Sequence, residues 1–363
     1  MTILFRYIFR EYAKIFAMCF AGLLTIYLVI DFFEKIRRFL RYDVNLLPML
    51  TYFALKVPAI SYQIAPLAIL MATLLTLGLL SRSHEITAMR SCGISLTWIS
   101  SPFLVFAIAV ALVLLLFSST VIPVASEQAE QIRLVQIEKK SGPLTVKAPQ
   151  PWARISSDAL MQVNEVDLRG GIIRGVRLFH FDSGFRLDRT TEAAEARYTA
   201  LGWVLYHGHQ RHFLSNNTVS VRPFSELLVD LPLIPDDFAT SLSGDSETMT
   251  FRAIRNYVGR FSHAGISFTR LLTDYYGRLA FPFVTVIMVL VGIALSLRRS
   301  GVRGGSMAVG IGQAFLVGFC YWTTHSIAIA LGRGGLLAPM LAGWMANVLF
   351  ASFGLYLLLK VRY

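Results

Sequence analysis

The chain has 363 residues, of which 55% are hydrophobic and only 15% charged, and its mean hydropathy is +0.57. A soluble protein carries about 25% charged residues, so a wholly soluble globule is excluded. The net charge of +12 lies mostly at the ends of apolar runs and in the central region; this disfavours nucleic-acid binding and favours orientation by flanking charge and contact with anionic lipid.

In chain order, Ile3, Leu4, Tyr7 and Ile8 stand against Arg6 and Arg10, which predicts a short interfacial helix or the first turns of a span. The charge-free runs are 15–30, 57–81, 91–126, 279–297, 304–332 and 334–359. A bilayer crossing takes about 20 mainly apolar residues, and six such runs in one chain set aside buried helices of a soluble protein. The first run is short, and Tyr12, Lys14 and Lys35 extend it by interfacial anchoring. It ends in Asp31-Phe32-Phe33-Glu34-Lys35 with no small-residue cleavage site, so it reads as a retained helix rather than a signal peptide. The third run opens on a turn, Ser91 to Ser95, and its span covers about 98–122.

Between residues 123 and 270 charges return and the apolar period changes. Glu127 to Lys140 reads as a helical extension of the third span, and 250–264 as a helix leading back to the membrane. Short strands are predicted at Trp152–Ile155, Ala159–Val163, Ile172–Phe181, Phe185–Leu187, Glu195–Ala200, Gly202–Tyr206 and Val219–Val221, with a hairpin turn at Asp182-Ser183-Gly184. Many short strands point to a sandwich, barrel or jelly roll. Cys19, Cys92 and Cys320 lie outside this region, so no disulfide staples it.

Orientation follows from charges near the span ends. Arg6, Arg10, Arg82, Arg90, Arg298, Arg299, Arg303, Lys360 and Arg362 fall on one side; Lys35, Arg37, Arg38, Arg41 and Arg333 fall on the other. The richer side belongs in the cytoplasm, so both termini are expected inside and the central domain outside.

Two clusters are candidate sites. Lys35, Arg37, Arg38 and Arg41 follow the first span beside Asp31, Glu34 and Asp43; such cations at the outer interface attract lipid phosphates, with plain helix anchoring as the alternative. Asp31, near the end of an apolar span, needs water, a cation or a cavity. The loop from Ser81 to Gly93 carries Arg82, His84, Glu85, Met89 and Arg90. Ser83 is placed to cap a short helix there, with Ile86 and Met89 on one side and Gly93 ending it. Mixed polarity of this kind suits docking to a cytoplasmic partner, and a simple polar connection is the alternative. No P-loop, His-Glu-x-x-His or Gly-x-Ser-x-Gly motif occurs, so no catalytic, cofactor or metal site is expected in the chain. His207, His209 and His212 read as strand histidines rather than ligands. Glycines at 292, 305, 310, 312, 318, 343 and 354 permit close helix contacts in the last three spans.

Five stretches carry a family resemblance: Arg6-Tyr7-Ile8, Ile30 to Lys35, Leu77 to Ser95, Arg278 to Phe283 and Leu337 to Asn347. With them the chain resembles, over nearly its whole length, the LptF/LptG lipopolysaccharide export permeases (the YjgP/YjgQ family), with the first-span ending and the last stretch nearer the LptG pattern. The resemblance implies an α-helical integral membrane protein with six transmembrane helices and an inserted periplasmic β-jellyroll-like domain. On that reading residues 1–125 hold spans 1–3 with a coupling helix at about 82–92, residues 126–265 the periplasmic domain, and residues 266–363 spans 4–6. It implies a permease subunit of the inner membrane that extracts lipopolysaccharide and passes it to a periplasmic bridge. The implied partners are an LptF-type permease subunit, an LptB-type cytoplasmic ATPase dimer that binds the ATP and Mg, LptC and, through it, the LptA bridge. Arg82, His84, Glu85, Met89 and Arg90 would contact the ATPase, with Glu85 at the family's acidic position. Lys35, Arg37, Arg38 and Arg41 would face the lipid phosphates; Asp31 stands where some members have Lys, and Arg278 where Lys is common. An LptF-type subunit, or an ABC-linked assembly subunit that moves no lipid, are the alternatives.

Overall fold

A computed structural model describes residues 2–41, 46–133, 145–146, 152–154, 156, 158–167, 172–182, 184–199, 202–213, 218–229, 231, 249–261, 268–299 and 307–360. Two compact units result, residues 1–139 with 269–363, and residues 140–268.

The first unit is helical. Its elements are α1 (Thr2–Arg41), α2 (Leu46–Arg82), α3 (Glu85–Ser91), α4 (Leu96–Leu116) and α5 (Ile122–Ile132), then α7 (Thr269–Ala280), α8 (Val284–Arg299), α9 (Met307–Arg333) and α10 (Pro339–Leu359). Among the described residues, six stretches are long and apolar enough to cross a membrane: Thr2–Ile36, Leu47–Arg82, Leu96–Ile132, Thr269–Leu297, Ala308–Arg333 and Pro339–Leu359. They coincide with the six charge-free runs. The amphipathic N-terminus forms the first turns of α1, not a separate helix. The expected extension of the third span is present as α5 to Ile132, while residues 134–140 lie outside the described ones.

Burial sorts these helices. In the most apolar stretch of α2, 72% of residues are buried, against none in α1. Helix α2 is therefore the central post, and Ile69, Leu70 and Ala72 on it are fully enclosed. Helix α1 packs on it near its start. Ile8 and Tyr12 are fully buried, Tyr12 sits 4.6 Å (ring to ring) from Phe103 on α4, and its hydroxyl meets Thr73 Oγ1 on α2 at 3.0 Å. Met18, Ile26, Ile30 and Phe33 on α1, and Leu316, Phe319 and Ile327 on α9, remain exposed. Apolar side chains on these faces suit lipid or a second membrane subunit.

The third span contains a five-residue π turn, Phe117–Val121, just before Pro123. Proline has no N–H to donate, so a backbone carbonyl one turn earlier loses its helical partner. Arg278 on α7 supplies one from outside, its Nη2 donating to Ser118 O at 2.6 Å. The guanidinium at a membrane-spanning position thus joins the third span to the fourth. Asn347 plays a similar part further along: Tyr321 Oη donates to its Oδ1, and its Nδ2 donates to Ala280 O, each at 2.7 Å. This ties the last three spans together.

The second unit is a seven-stranded antiparallel sheet: β1 (Thr145–Val146), β2 (Trp152–Arg154), β3 (Ala159–Asp167), β4 (Ile172–Phe181), β5 (Leu187–Thr199), β6 (Gly202–Phe213) and β7 (Val219–Val229). The order is β1-β3-β4-β5-β6-β7, with β2 also on β3. Strands β3 to β7 therefore pair with their neighbours in sequence, and the inserted β domain is an up-and-down meander over the described strands. Strand β4 has its predicted bounds, while β5 runs unbroken from Leu187 to Thr199 and takes in most of the strand predicted at Glu195–Ala200; Phe185, predicted to begin a strand, lies instead in the turn with a left-handed backbone (φ 57°). The hairpin turn falls where expected. Asp182 Oδ1 accepts from the N–H groups of Gly184 and Arg186, at 2.9 and 2.8 Å. Helix α6 (Phe251–Phe261) follows, its first turn capped by Thr250 Oγ1, which accepts from Ala253 N at 3.2 Å.

A crease runs across the sheet. At every junction from β3 to β7 the ladder skips the level of Asn164, Gly175, Ala194, His207 and Ser225. Gly175 (φ 66°) and His207 (φ 52°) are left-handed there. On either side the buried residues follow strand alternation, but across the crease they step by three: Ile173 to Val176, Ala193 to Ala196. A Cβ on Gly175 would lie 2.4 Å from Asn164 Nδ2, so glycine is required there both by backbone and by space.

Candidate functional site

Three places could carry function, two in the helical unit and one in the sheet.

The first is α3, between the second and third spans. Its seven residues are too few to be stable alone, and packing fixes them. Ile86 and Met89 are 7% and 8% exposed and belong to the core around α2. The end is closed by Gly93 (φ 81°), whose N–H donates to Arg90 O at 2.9 Å while Ile94 N donates to Met89 O at 3.1 Å. That pair of bonds is a Schellman motif, the usual role of a glycine after a helix. Ser83 does not cap the first turn. The capping position is His84, left-handed at φ 59°, and Ser83 Oγ instead donates to Glu85 Oε1 at 2.8 Å. The other carboxylate oxygen, Oε2, accepts from Tyr7 Oη at 3.0 Å. Arg82, His84 and Arg90 are exposed around Glu85, which is half-buried. Of the five loop residues singled out by sequence, three are exposed and Glu85 is half-buried, while Met89 anchors the helix inward.

At the opposite end of α1 and α2 lies the charged cluster. Arg37, Arg38 and Arg41 continue α1, and their side chains fall outside the described residues, as does Asp43. Lys35 turns inward. It pairs with Asp31 one turn earlier, both side chains being mostly buried (18% and 12% exposed), and its Nζ lies 5.7 Å from the centre of the Tyr52 ring. Asp31 thereby finds its cation, although its Oδ2 is buried without a hydrogen bond among the described residues. Sequence reading missed Lys56 on α2, whose Nζ lies 5.2 Å from the centre of the same ring. The signal was available: a lysine ten residues into a spanning helix is costly unless used. Glu130 and Arg133 pair on the end of the third span, where Ala129 and Ile132 join Tyr52 and Phe32 in a small apolar cluster.

The third place is the core of the β unit. Ile173, Leu178, Trp203 and Leu205 are all at most 1% exposed and share one face with Met161, Val163, Val176 and Ala196. The opposite face is polar. Glu192 lies 3.2 Å from Arg211 and 3.3 Å from His209, and Arg197 pairs with Glu195 at 2.6 Å. Among the described residues no group of three His, Cys, Asp or Glu is placed to hold a metal ion; His209 is engaged with Glu192 and His212 with Gln210.

Six spanning helices, an inserted antiparallel β domain and a seven-residue helix between spans two and three define a polytopic membrane protein. The chain matches the family described as "Lipopolysaccharide export system permease LptF/LptG" over residues 6–360, and it belongs to that family. It is also similar to the lipopolysaccharide export system permease protein LptG of Escherichia coli K12, with 20% identity over 362 residues covering 99% of this chain and 98% of the relative. The protein of that name from Escherichia coli O6:H1 strain CFT073 is similar to the same extent. The family is one of transport components rather than catalytic enzymes, and its members are permeases of lipopolysaccharide export. With its six apolar helices the chain is a multi-pass inner-membrane protein.

Proposed function

We propose that the chain is the LptG-type half of an ATP-driven exporter that lifts lipopolysaccharide out of the inner membrane and passes it to a periplasmic bridge. In this reading it pairs with an LptF-type subunit and docks on an LptB-type ATPase dimer, which alone binds ATP and Mg. LptC and then the LptA bridge receive the lipid. Both termini and α3 face the cytoplasm; the β unit faces the periplasm. The observation that carries the reading is α3: a short helix pinned by two buried side chains, with charged groups around Glu85 left exposed at one end of the bundle. A force applied there reaches α2 through Ile86 and Met89. At the other end, Lys35, Arg37, Arg38 and Arg41 meet the lipid phosphates, with Lys56 nearby. The Asp31–Lys35 pair is the resting partner that a phosphate would replace, which limits affinity and so permits release. The apolar face of the β unit gives the acyl chains a path.

Glu85→Lys tests the reading directly. Membrane insertion should hold, while co-purification of the ATPase or ATP-driven lipid release falls at least about tenfold, as expected when a charge-assisted contact becomes a repulsion. Unchanged association together with unchanged coupled release would remove α3 from the mechanism.

A further inference from the structure

Tyr7 and Glu85 are 78 positions apart and meet at 3.0 Å. Tyr7 lies one turn from the start of α1, and its ring is 45% exposed. Its neighbours are held hard: Ile8 and Tyr12 are fully buried, and the Tyr12 hydroxyl sits between Thr73 Oγ1 at 3.0 Å and Ile69 O at 3.4 Å on α2. The Tyr7 hydroxyl is therefore a fixed donor on a fixed turn. Ser83 Oγ has one proton and three acceptors within reach, and the charged Glu85 Oε1 at 2.8 Å is nearer than Leu79 O at 3.1 Å and Leu80 O at 3.3 Å. Two donors, one on each oxygen, hold the Glu85 carboxylate in one orientation, and each oxygen keeps a further lone pair for a cation arriving from outside.

We propose that Tyr7 is a positioning residue for coupling: it aims the Glu85 carboxylate at a cationic side chain of the docked ATPase and carries the displacement of α3 into the first span. The inference rests on the reading of α3 given above. Its consequence is a second route for force. Ile86 and Met89 hand motion to α2, the most buried of the spans. Tyr7 hands it to α1, which packs on the core through Ile8 and Tyr12 and presents Met18, Ile26 and Ile30 outward, toward lipid or a partner. A hydrogen bond to a carboxylate transmits direction as well as load, which an apolar contact does not.

The experiment is a double-mutant cycle in the reconstituted complex with its partner subunit and ATPase. Lipid released per ATP hydrolysed is measured for the parent, Tyr7→Phe, Glu85→Ala and the double variant. Tyr7→Phe removes one hydroxyl and leaves the packed ring, so its unfolding midpoint should match the parent. Its coupling ratio should fall at least about threefold, near the low end of the net worth of an ordinary hydrogen bond and fitting one that is partly exposed. In the Glu85→Ala background the same change should have no further effect, because the hydroxyl has lost its target. An equal loss in both backgrounds would make Tyr7 a packing residue and overturn the proposal. Coupling lost in Glu85→Ala but intact in Tyr7→Phe would overturn the positioning role while leaving α3 as the coupling element. Full coupling in Glu85→Ala would take down the reading of α3 and this proposal with it.

Discussion

His180, on β4, shows how burial acts on a single residue. Its imidazole pKa is lowered, first by burial and then by the Arg189 charge on the adjacent strand, against smaller opposing effects of Asp158 and Asp188. The folded β unit therefore holds a neutral ring at a pH where the unfolded chain already binds a proton. Stability rises with pH wherever the unfolded state binds more protons. The contribution is intact above the ordinary histidine value of 6.5 and declines as pH falls below it toward the lowered folded value. His180→Asn should flatten this slope: between pH 7.5 and about 5.5 the unfolding midpoint of the variant should drop less than the parent's. The basic cluster supplies a second expectation. Arg37→Ala with Arg38→Ala should lower lipopolysaccharide loading more than basal ATP hydrolysis, and the difference should shrink in high salt, where the attraction is already screened. Crosslinking of lipid to the purified complex at low salt measures it, and equal yields would leave the cluster as a membrane anchor. The sequence displayed these arginines and the four-residue spacing of Asp31 and Lys35 plainly, yet it could not show that Lys35 and Lys56 share the Tyr52 ring. A pairing one turn apart is visible as spacing, whereas an aromatic ring between two helices is set by tertiary packing alone.

Among the elements, those with a periodic or compositional signal were the readable ones. Charge-free runs marked the spans because lipid admits little else, and Ser83-x-x-Ile86-x-x-Met89 with Gly93 marked α3 because a helix end asks for glycine. The π turn before Pro123 gave no pattern, since the donor that relieves it comes from Arg278, 160 residues away. The crease gave half a signal: Gly175 is conformationally suited to it, but nothing about His207 announces a left-handed backbone. Helix contacts had a clearer trace in the glycines. A Cβ on Gly343 of α10 would lie 2.7 Å from the Tyr276 carbonyl carbon and 2.9 Å from Gly277 N on α7, so the two backbones touch with nothing between. Gly343→Ala should force them apart and cost about 1–3 kcal/mol, the range for overpacking a tight contact. Thermal unfolding in detergent should show the loss, whereas Gly22→Ala, with open space around its Cβ position, should show none.

At the scale of the whole molecule, the two units keep separate cores. The helical core gathers on α2, and the β core on Trp203 and its neighbours. The chain leaves the helical unit after the third span and returns at the fourth, yet the halves are held by direct contacts such as Arg278 to Ser118 and Thr285 Oγ1 to Ala107 O at 3.2 Å. A protease site placed in the turn at Asp182 to Gly184 should therefore be cleavable without parting the molecule; the two fragments should elute together in detergent and separate only on denaturation. The crease has a consequence of its own for such a sheet. Its bend lies at one level in five successive strands, like the fold line in a sheet of card. A strand that slipped by one residue would lay a straight stretch against its neighbour's bend and would also turn its apolar side chains outward. Sliding is thus barred in both directions, and the strands keep a single alignment. Any opening of the sheet must come from unzipping at a margin such as β7, which among the described strands pairs only with β6, and never from shear.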